Sequence, residues 1–183
     1  PELEDLENIG FLYEYLLELK SKGLIGQIGI SLKSPLHWEK FKFFDFDFIQ
    51  TNFNLLDVRA YVYFPEWESK KIKVLTRGPF ASGILTNKNI DFQDKSDHRS
   101  RWNKDLRNLL TQNRLLLTEK FPTIQNNLEE VALKFVDSFQ NITSIVVSIM
   151  SRDELSRNVS NSSKDWKFEF TPEDLLKNAQ TYF

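Results

Sequence analysis

The chain contains no cysteine and only two histidines among its 183 residues. Without cysteine it can form neither a disulfide framework nor a cysteine metal site, and a reducing compartment is permitted. His37 follows a predicted strand, whereas His98 falls in a long predicted loop. Two histidines placed so far apart predict no metal site.

Net charge and long apolar runs are also lacking. The formal net charge is -2 and the pI is near 5.8, so nothing draws the whole chain toward phosphate backbones or anionic membranes. No apolar run is long enough to span a bilayer, and no secretory leader opens the chain. We therefore expect a cytoplasmic protein with no nucleic-acid and no membrane partner.

Methionine is scarce as well. Met150 is the only methionine and the chain opens at Pro1, so we expect the native start to lie upstream. Hydrophobic residues, in contrast, make up 40% of the chain. That fraction suffices for the core of one domain, and we interpret residues 1–183 as a single domain fragment.

Apolar segments without polar alternation predict four buried strands, separated by helical patterns. The predicted strands are Ile25–Ser31, Phe46–Thr51, Ile72–Thr76 and Thr143–Val147. Capping residues at Ser151 and Thr171 predict the starts of two further helices after the last strand. This order indicates an α/β fold with a parallel sheet covered by helices. Four strands fit either an open doubly wound sheet or half of a (β/α)8 barrel.

Four segments, in order and at matching spacing, resemble the C-terminal half of the aldo/keto reductase family. They are "KGLIGQIGIS", "FDFIQTNFNLLDVRA", "IKVLTRGPFASGILTNK" and "NLEEVALKFVDSFQNITSIVVSIMSRDELSRN". The resemblance implies a (β/α)8 TIM barrel, of which this chain supplies about strands 5 to 8 with their helices. It also implies an NADP(H)-dependent oxidoreductase that reduces an aldehyde or ketone, a small-molecule carbonyl substrate, to an alcohol.

The same resemblance implies where the nicotinamide binds. Ser31 and Gln50, at predicted strand ends, match the residues that hydrogen-bond the nicotinamide carboxamide in this family. An amide suits this role because it both donates and accepts without adding charge. Arg77 matches a residue that packs against the nicotinamide, and a salt bridge on the barrel rim is the alternative. Asn54 is expected to hold backbone instead.

Two further segments match the family's grip on the pyrophosphate and the adenosine. The matching residues are Gly78, Phe80, Ala81 and Ser82 in the loop after the third strand, and Ser151, Arg152, Arg157 and Asn158 at the start of the next helix. Small loop residues let backbone amides approach phosphate oxygens, and a helix start attracts phosphate. The arginines favour NADP (NADPH) over NAD, although Arg152 and Arg157 could equally form a solvated helix face.

Three residues depart from the family pattern. Leu32 replaces an asparagine common after the serine of strand five, and Ser148 and Met150 replace a glycine and a basic residue. Met150 cannot bind phosphate, so Arg152 would have to substitute for the missing basic group.

The largest departure is an absence. The family's catalytic tyrosine, lysine, aspartate and histidine lie on strands one to four, so we expect them upstream of Pro1. None of the five tyrosines of this chain matches the catalytic motif, and we expect the fragment alone to be inactive.

Two function classes remain open from the sequence. The first is the reductase, of which this chain carries cofactor-binding and substrate-loop parts. The second is a non-catalytic binding or regulatory protein, or a half-barrel that needs a partner chain. Four aromatic residues could line an apolar substrate pocket or belong to the core, and the core is favoured; they are Trp102, Trp166, Phe168 and Phe170.

Overall fold

Four parallel strands form one sheet, in the order β1-β2-β3-β4. The strands are β1 (Gly29–Ser31), β2 (Phe48–Asn52), β3 (Lys73–Arg77) and β4 (Ile142–Val146). The structure is a computed structural model, and it describes residues 6–87, 92, 94–96, 98–163 and 167–179. The predicted parallel sheet is confirmed, and each strand follows its predecessor in space as it does in sequence.

The described part of the chain contains seven α-helices. They are α1 (Leu6–Ser21), α2 (Trp38–Phe41), α3 (Phe64–Ser69), α4 (Lys104–Lys120), α5 (Leu128–Asp137), α6 (Arg152–Ser162) and α7 (Pro172–Ala179). The predicted interruption near Pro65 is a change from a 3-10 helix, Arg59–Tyr63, to α3. None of the described helices is long and apolar enough to cross a membrane.

The sheet buries one face and leaves the other partly open. Along β1, β2 and β3, side chains on the buried face alternate with exposed or half-buried ones, as the period of two in a strand requires, whereas no residue of β4 is buried. The buried set is Ile30, Ile49, Thr51, Val74 and Thr76. Burial of both faces, the expectation from the sequence, is wrong for this chain. The open face carries polar and charged residues such as Gln50 and Lys73.

Aromatic rings fill the core between the buried face and the helices. Trp38 and Trp67 are fully buried and meet edge to face, with ring centroids 6.0 Å apart. Phe53, after β2, stacks on Phe135 of α5 with a centroid distance of 5.5 Å. Such ring pairs add to the hydrophobic stabilisation from area burial, and they fix the helix layer on one side of the strands.

The tail aromatics belong to this core. Phe170 is buried, and Phe168 and Trp102 are partly buried against the same cluster. Phe170 contacts Phe121 with ring centroids 4.5 Å apart. The core interpretation is confirmed for these three residues, and Trp166 lies outside the described residues.

The two predicted helix caps are both formed. The Ser151 hydroxyl accepts a hydrogen bond from the Glu154 backbone amide at 3.2 Å, and α6 begins at the next residue. The Thr171 hydroxyl accepts from the Asp174 amide at 3.3 Å, and the Asp174 carboxylate accepts from the Thr171 amide at 3.0 Å. These contacts satisfy amide groups that a helix start would otherwise leave unpaired.

Candidate functional site

Three side chains predicted to contact the nicotinamide lie on neighbouring strands, with Ser31 and Arg77 at the carboxyl ends of β1 and β3 and Gln50 in the middle of β2. Ser31 of β1 is opposite Gln50 of β2, and Arg77 of β3 is opposite Asn52. The Ser31 hydroxyl donates a hydrogen bond to Gln50 Oε1 at 2.9 Å. The Arg77 guanidinium donates from Nη2 to the Leu32 carbonyl at 2.6 Å. The structure therefore groups these residues at one edge of the sheet, where catalytic sites of parallel α/β folds are found.

These strand ends line a first cavity of about 590 Å³, which we call the strand-end cavity. Ser31, Gln50 and Arg77 supply its polar wall. Helix α1 supplies the apolar wall through Ile9, Leu12, Tyr13 and Leu16. A mostly apolar cavity with a few convergent polar groups is the usual form of a small-molecule site.

Arg77 pairs with no carboxylate in the part of the chain that the structure describes. Its Nε is buried and has no hydrogen-bond partner there. The rim salt bridge weighed from the sequence is therefore not formed among these residues. A buried guanidinium nitrogen without a partner is costly, so Arg77 is suited to a polar or planar ligand in the strand-end cavity.

Leu32 is fully buried. Its side chain therefore contributes to the core, and only its carbonyl faces Arg77. The asparagine contact expected at this position in the family has no counterpart in this chain.

Asn54 fastens the loop after β2 to the loop after β3. Its Oδ1 accepts hydrogen bonds from the Leu56 and Asp57 amides, each at 2.9 Å, and its Nδ2 donates to the Gly78 carbonyl at 2.9 Å. The side chain is 5% exposed. The prediction that Asn54 holds backbone is confirmed.

The loop after β3 has an unusual backbone. Gly78, Ala81, Ser82 and Gly83 all have positive φ, at 66°, 46°, 55° and 90°. For the non-glycine residues 81 and 82 this conformation costs about 1–3 kcal/mol each, and such strain is concentrated at functional sites. Arg99 Nη1 donates to the Ser82 carbonyl at 3.2 Å and so supports the loop from outside.

A second cavity of about 610 Å³ separates this loop from helix α6, and we call it the loop-helix cavity. Gly78, Phe80 and Ser82 line it from the loop, and Arg157 and Asn158 line it from α6. Two segments matched separately to phosphate and adenosine binding thus face each other across one space. The predicted residues Ala81, Ser151 and Arg152 do not line the cavity.

Helical geometry explains which residues of α6 face this cavity. Glu154, Arg157 and Asn158 are spaced by three and four positions, so they share one face of the helix. Arg152 precedes Glu154 by two positions and lies on another face, where it is exposed. The Ser151 hydroxyl is occupied by the helix cap.

Charged residues of both signs line the loop-helix cavity. Arg157 Nε contacts Glu129 Oε2 at 3.3 Å, and Glu154 Oε2 accepts from the Met150 amide at 2.7 Å. Arg99, Glu129 and Glu154 were not predicted as site residues. The spacing to Arg157 could have identified Glu154, but no local pattern relates Arg99 or Glu129 to α6.

The hydroxyl groups of Tyr13 and Tyr61 each donate a hydrogen bond to an acceptor within the protein. Tyr13 donates to the Asp45 carbonyl at 2.8 Å, and burial raises its pKa. Tyr61 donates to Glu173 Oε1 at 2.8 Å, and this hydrogen bond raises its pKa. Neither hydroxyl is poised as a general acid near neutral pH. Among the described residues no group of three histidine, aspartate or glutamate side chains could hold a metal ion.

Comparisons with known proteins agree with the fold. The chain is 28% identical over 154 residues to the uncharacterized oxidoreductase YqkF of Bacillus subtilis (strain 168), a match that covers 84% of this chain and 50% of that protein. The structure resembles the holo form of the aldo-keto reductase AKR11C1 from Bacillus halodurans, with a TM-score of 0.67, 24% identity, and coverage of 90% of this chain and 54% of that one. It also resembles the glycerol dehydrogenase AKR11B4 from Gluconobacter oxydans, with a TM-score of 0.59, 20% identity, and coverage of 93% and 52%.

The chain therefore spans about half the length of the relatives it matches. The two solved structures are less than 25% identical to this chain, so their similarity supports the fold alone. Residues 7–176, nearly the whole chain, match the sequence profile of the aldo/keto reductase family. On this match, the chain belongs to the aldo/keto reductase family.

Proposed function

We propose that this chain is the C-terminal half of a reductase barrel and carries its site for a nicotinamide dinucleotide. The observation that carries the proposal is the loop-helix cavity, which joins five of the predicted cofactor residues from two distant segments. The intact protein would then reduce an aldehyde or ketone to an alcohol. The carbonyl substrate would be a small molecule.

The open sheet supports the half-barrel part of the proposal. Among the described strands, β1 pairs only with β2 and β4 only with β3, so each leaves an edge unpaired. Closure of an eight-stranded barrel would pair both edges and cover the open face. Large apolar side chains are also exposed, among them Phe11 at 82% and Phe43 at 81%. The matched region covers only about half of each relative, which leaves room for four more strands.

The residues suit two parts of a dinucleotide, the nicotinamide carboxamide and the pyrophosphate. Ser31 fixes the Gln50 amide, which can both donate to and accept from a carboxamide. The loop of residues 78–83 and the side chain of Arg99 suit the pyrophosphate, because they place small residues and a guanidinium beside the loop-helix cavity. When bound, the reduced cofactor supplies the hydride for the carbonyl carbon.

The hydroxyls of Tyr13 and Tyr61 are held by internal acceptors, so neither is placed to donate a proton to the carbonyl oxygen. We therefore propose that the tyrosine, lysine, aspartate and histidine of the reaction come from the preceding half of the barrel. The isolated 183-residue chain should bind the dinucleotide and show no reductase activity.

Which dinucleotide binds depends on the arginines of α6. The sequence favours NADP on the basis of Arg152 and Arg157. Of these two arginines, only Arg157 lines the loop-helix cavity.

The experiment is titration calorimetry of the folded chain with NADH and NADPH, followed by a reductase assay with and without an upstream half-barrel supplied in trans. Binding by the chain, with turnover only after complementation, supports the reductase. Binding with no turnover under any complementation favours the non-catalytic alternative. A folded chain that binds neither dinucleotide contradicts the proposed site.

A further inference from the structure

The four strands carry two positively charged side chains and no negatively charged one. Neither aspartate nor glutamate occurs in β1, β2, β3 or β4, all of whose residues the structure describes. The two charged strand residues are Lys73 and Arg77, at opposite ends of β3. Val74 and Thr76, which alternate with them, belong to the buried face, so both cations lie on the open face of the sheet.

Lys73 lies at the amino end of this open face and is exposed in the 183-residue chain. It is opposite Phe48, the first residue of β2, and its Nζ lies over the Phe48 ring, 5.2 Å from the centroid. Asp47 directly precedes β2, and its carboxylate accepts hydrogen bonds from Lys20 of α1 at 2.6 Å and from the Ile28 amide at 2.7 Å. The contact with Phe48 places the Lys73 side chain across the open face.

Closure of the barrel would take the charge of Lys73 out of water. In an eight-stranded parallel barrel, inward side chains from alternate strands fill the interior in layers. The open face of this half would therefore meet the inward face of the other half. A buried ammonium group is strongly destabilising unless a carboxylate pairs with it. Since the strands of this chain contain no acid, the strands that close the barrel have to supply that carboxylate.

A second copy of this chain does not meet the requirement. Two copies could pair β4 of each with β1 of the other, since both edges are unpaired among the described strands. The eight strands would then enclose two copies each of Lys73 and Arg77 with no carboxylate from any strand. Like charges brought together in a low-dielectric interior repel one another. Charge complementarity therefore favours a different half-barrel over self-association.

We propose that the open face docks the preceding half of the barrel, and that an inward-facing carboxylate of that half pairs with Lys73. The inference rests on the proposed half-barrel and specifies the chemistry of the segment that completes it. Arg77 lines the strand-end cavity, so the ligand contributes to its surroundings. Lys73 lies at the other end of β3, and its charge is neutralised by the docking partner itself.

The test compares urea unfolding of the isolated 183-residue chain with that of the intact protein, in which the upstream half is present. In the intact protein, Lys73→Met should raise the unfolding equilibrium constant at least about tenfold, because the buried carboxylate of the other half loses its partner. In the isolated chain the same variant should keep the wild-type urea midpoint, since methionine retains an unbranched side chain that can contact Phe48. Lys40→Met, at an exposed position of α2, is the matched control and should change neither protein.

A charge exchange identifies the carboxylate. Lys73→Glu should destabilise the intact protein more than Lys73→Met, because it places two carboxylates together. One substitution of an inward-facing acidic residue of the upstream half by lysine should then restore the unfolding equilibrium constant at least about tenfold. Restoration by none of these substitutions overturns the pairing.

The outcomes separate this inference from the half-barrel on which it rests. An equal effect of Lys73→Met and Lys40→Met in the intact protein overturns the inference and leaves the half-barrel in place. A dimer of the isolated chain in which the edge amides of β1 and β4 are protected from hydrogen exchange shows that a second copy covers the open face, and it also overturns the inference. An intact protein without a half-barrel upstream of Pro1 overturns the proposed function and this inference with it.

Discussion

The Ser31 hydroxyl, at the carboxyl end of β1, donates a hydrogen bond at 2.9 Å to Oε1 of Gln50, in the middle of the adjacent parallel strand β2. The contact orients the Gln50 amide, because one lone pair of its oxygen is already occupied. Gln50 lines the strand-end cavity together with Arg77. Two ordinary polar residues thereby form one oriented group.

The first prediction concerns this group. Gln50→Ala should weaken binding of a full nicotinamide dinucleotide by about tenfold, the effect of losing one or two hydrogen bonds. Binding of ADP, which lacks the nicotinamide, should not change. Titration calorimetry with both ligands measures the difference. Gln112→Ala, at an exposed position of α4, serves as the control and should bind both ligands like the wild type. An equal loss of affinity for ADP would assign Gln50 to the fold rather than to the nicotinamide.

The second prediction concerns Asn54, which is buried and makes three hydrogen bonds to backbone groups. Asn54→Ala should lower the free energy of unfolding by about 3 kcal/mol, because it leaves buried backbone donors and an acceptor unpaired. Urea denaturation measures the change. Asn108→Ala, at an exposed position of α4, should change stability by less than about 0.5 kcal/mol. Equal effects of the two substitutions would show that the loop does not depend on the Asn54 contacts.

The elements of the fold were predictable from the sequence, but their ends were not. The first strand was predicted over Ile25–Ser31, whereas β1 comprises only Gly29–Ser31. Only those three residues pair in register with β2, because the amide of the preceding residue, Ile28, donates to the Asp47 carboxylate and not to a strand carbonyl. The length of a strand depends on its neighbour, and a neighbour is not visible in a local apolar pattern.

The candidate site shows the same limit. Residues within one helix, such as Arg157 and Asn158, could be found from their spacing and the family resemblance. Arg99 and Glu129 could not, since they reach the site through contacts 17 and 28 residues apart in sequence, to Ser82 and Arg157. The grouping of these side chains at the loop-helix cavity is therefore a property of the folded chain.

A pair of glycines gives the third prediction. Gly83 has φ of +90°, and a Cβ there would lie 2.6 Å from Arg99 Nη1. Gly83→Ala should therefore lower the free energy of unfolding by about 1–2 kcal/mol and also weaken dinucleotide binding. Gly10 lies inside α1, where a Cβ would meet nothing within 4 Å. Gly10→Ala should raise the free energy of unfolding by about 0.5–1 kcal/mol and leave binding unchanged.

Thermal and urea denaturation of the two variants give the comparison directly. The two changes in unfolding free energy should have opposite signs. The added methyl group lowers the entropy of the unfolded chain at Gly10, whereas at Gly83 it disfavours the positive φ of the folded backbone. A stabilising Gly83→Ala would mean that residues 78–83 relax easily, and the strain assigned to this loop would then be absent.

The fourth prediction concerns pH and the ion pair between α1 and the sheet. Asp47 Oδ2 accepts hydrogen bonds from Lys20 Nζ at 2.6 Å and from the Ile28 amide at 2.7 Å. Partial burial opposes ionisation of Asp47, but these two hydrogen bonds outweigh it, and the pKa lies below its ordinary value of 3.8. A carboxylate whose pKa is lower in the folded protein stabilises the fold at pH values above the unfolded pKa.

Asp47→Asn should therefore destabilise the protein at pH 6, and the gap to the wild type should close as the pH falls below about 4, through the folded pKa. Urea midpoints of both proteins between pH 6 and pH 3 measure the gap. Asp45→Asn, at an exposed position two residues away, should have little effect at either pH. A gap that stays constant down to pH 3 would mean that Asp47 acts through its shape and hydrogen bonds alone. The charge of Lys20 would then contribute nothing to the attachment of α1, although α1 forms the apolar wall of the strand-end cavity.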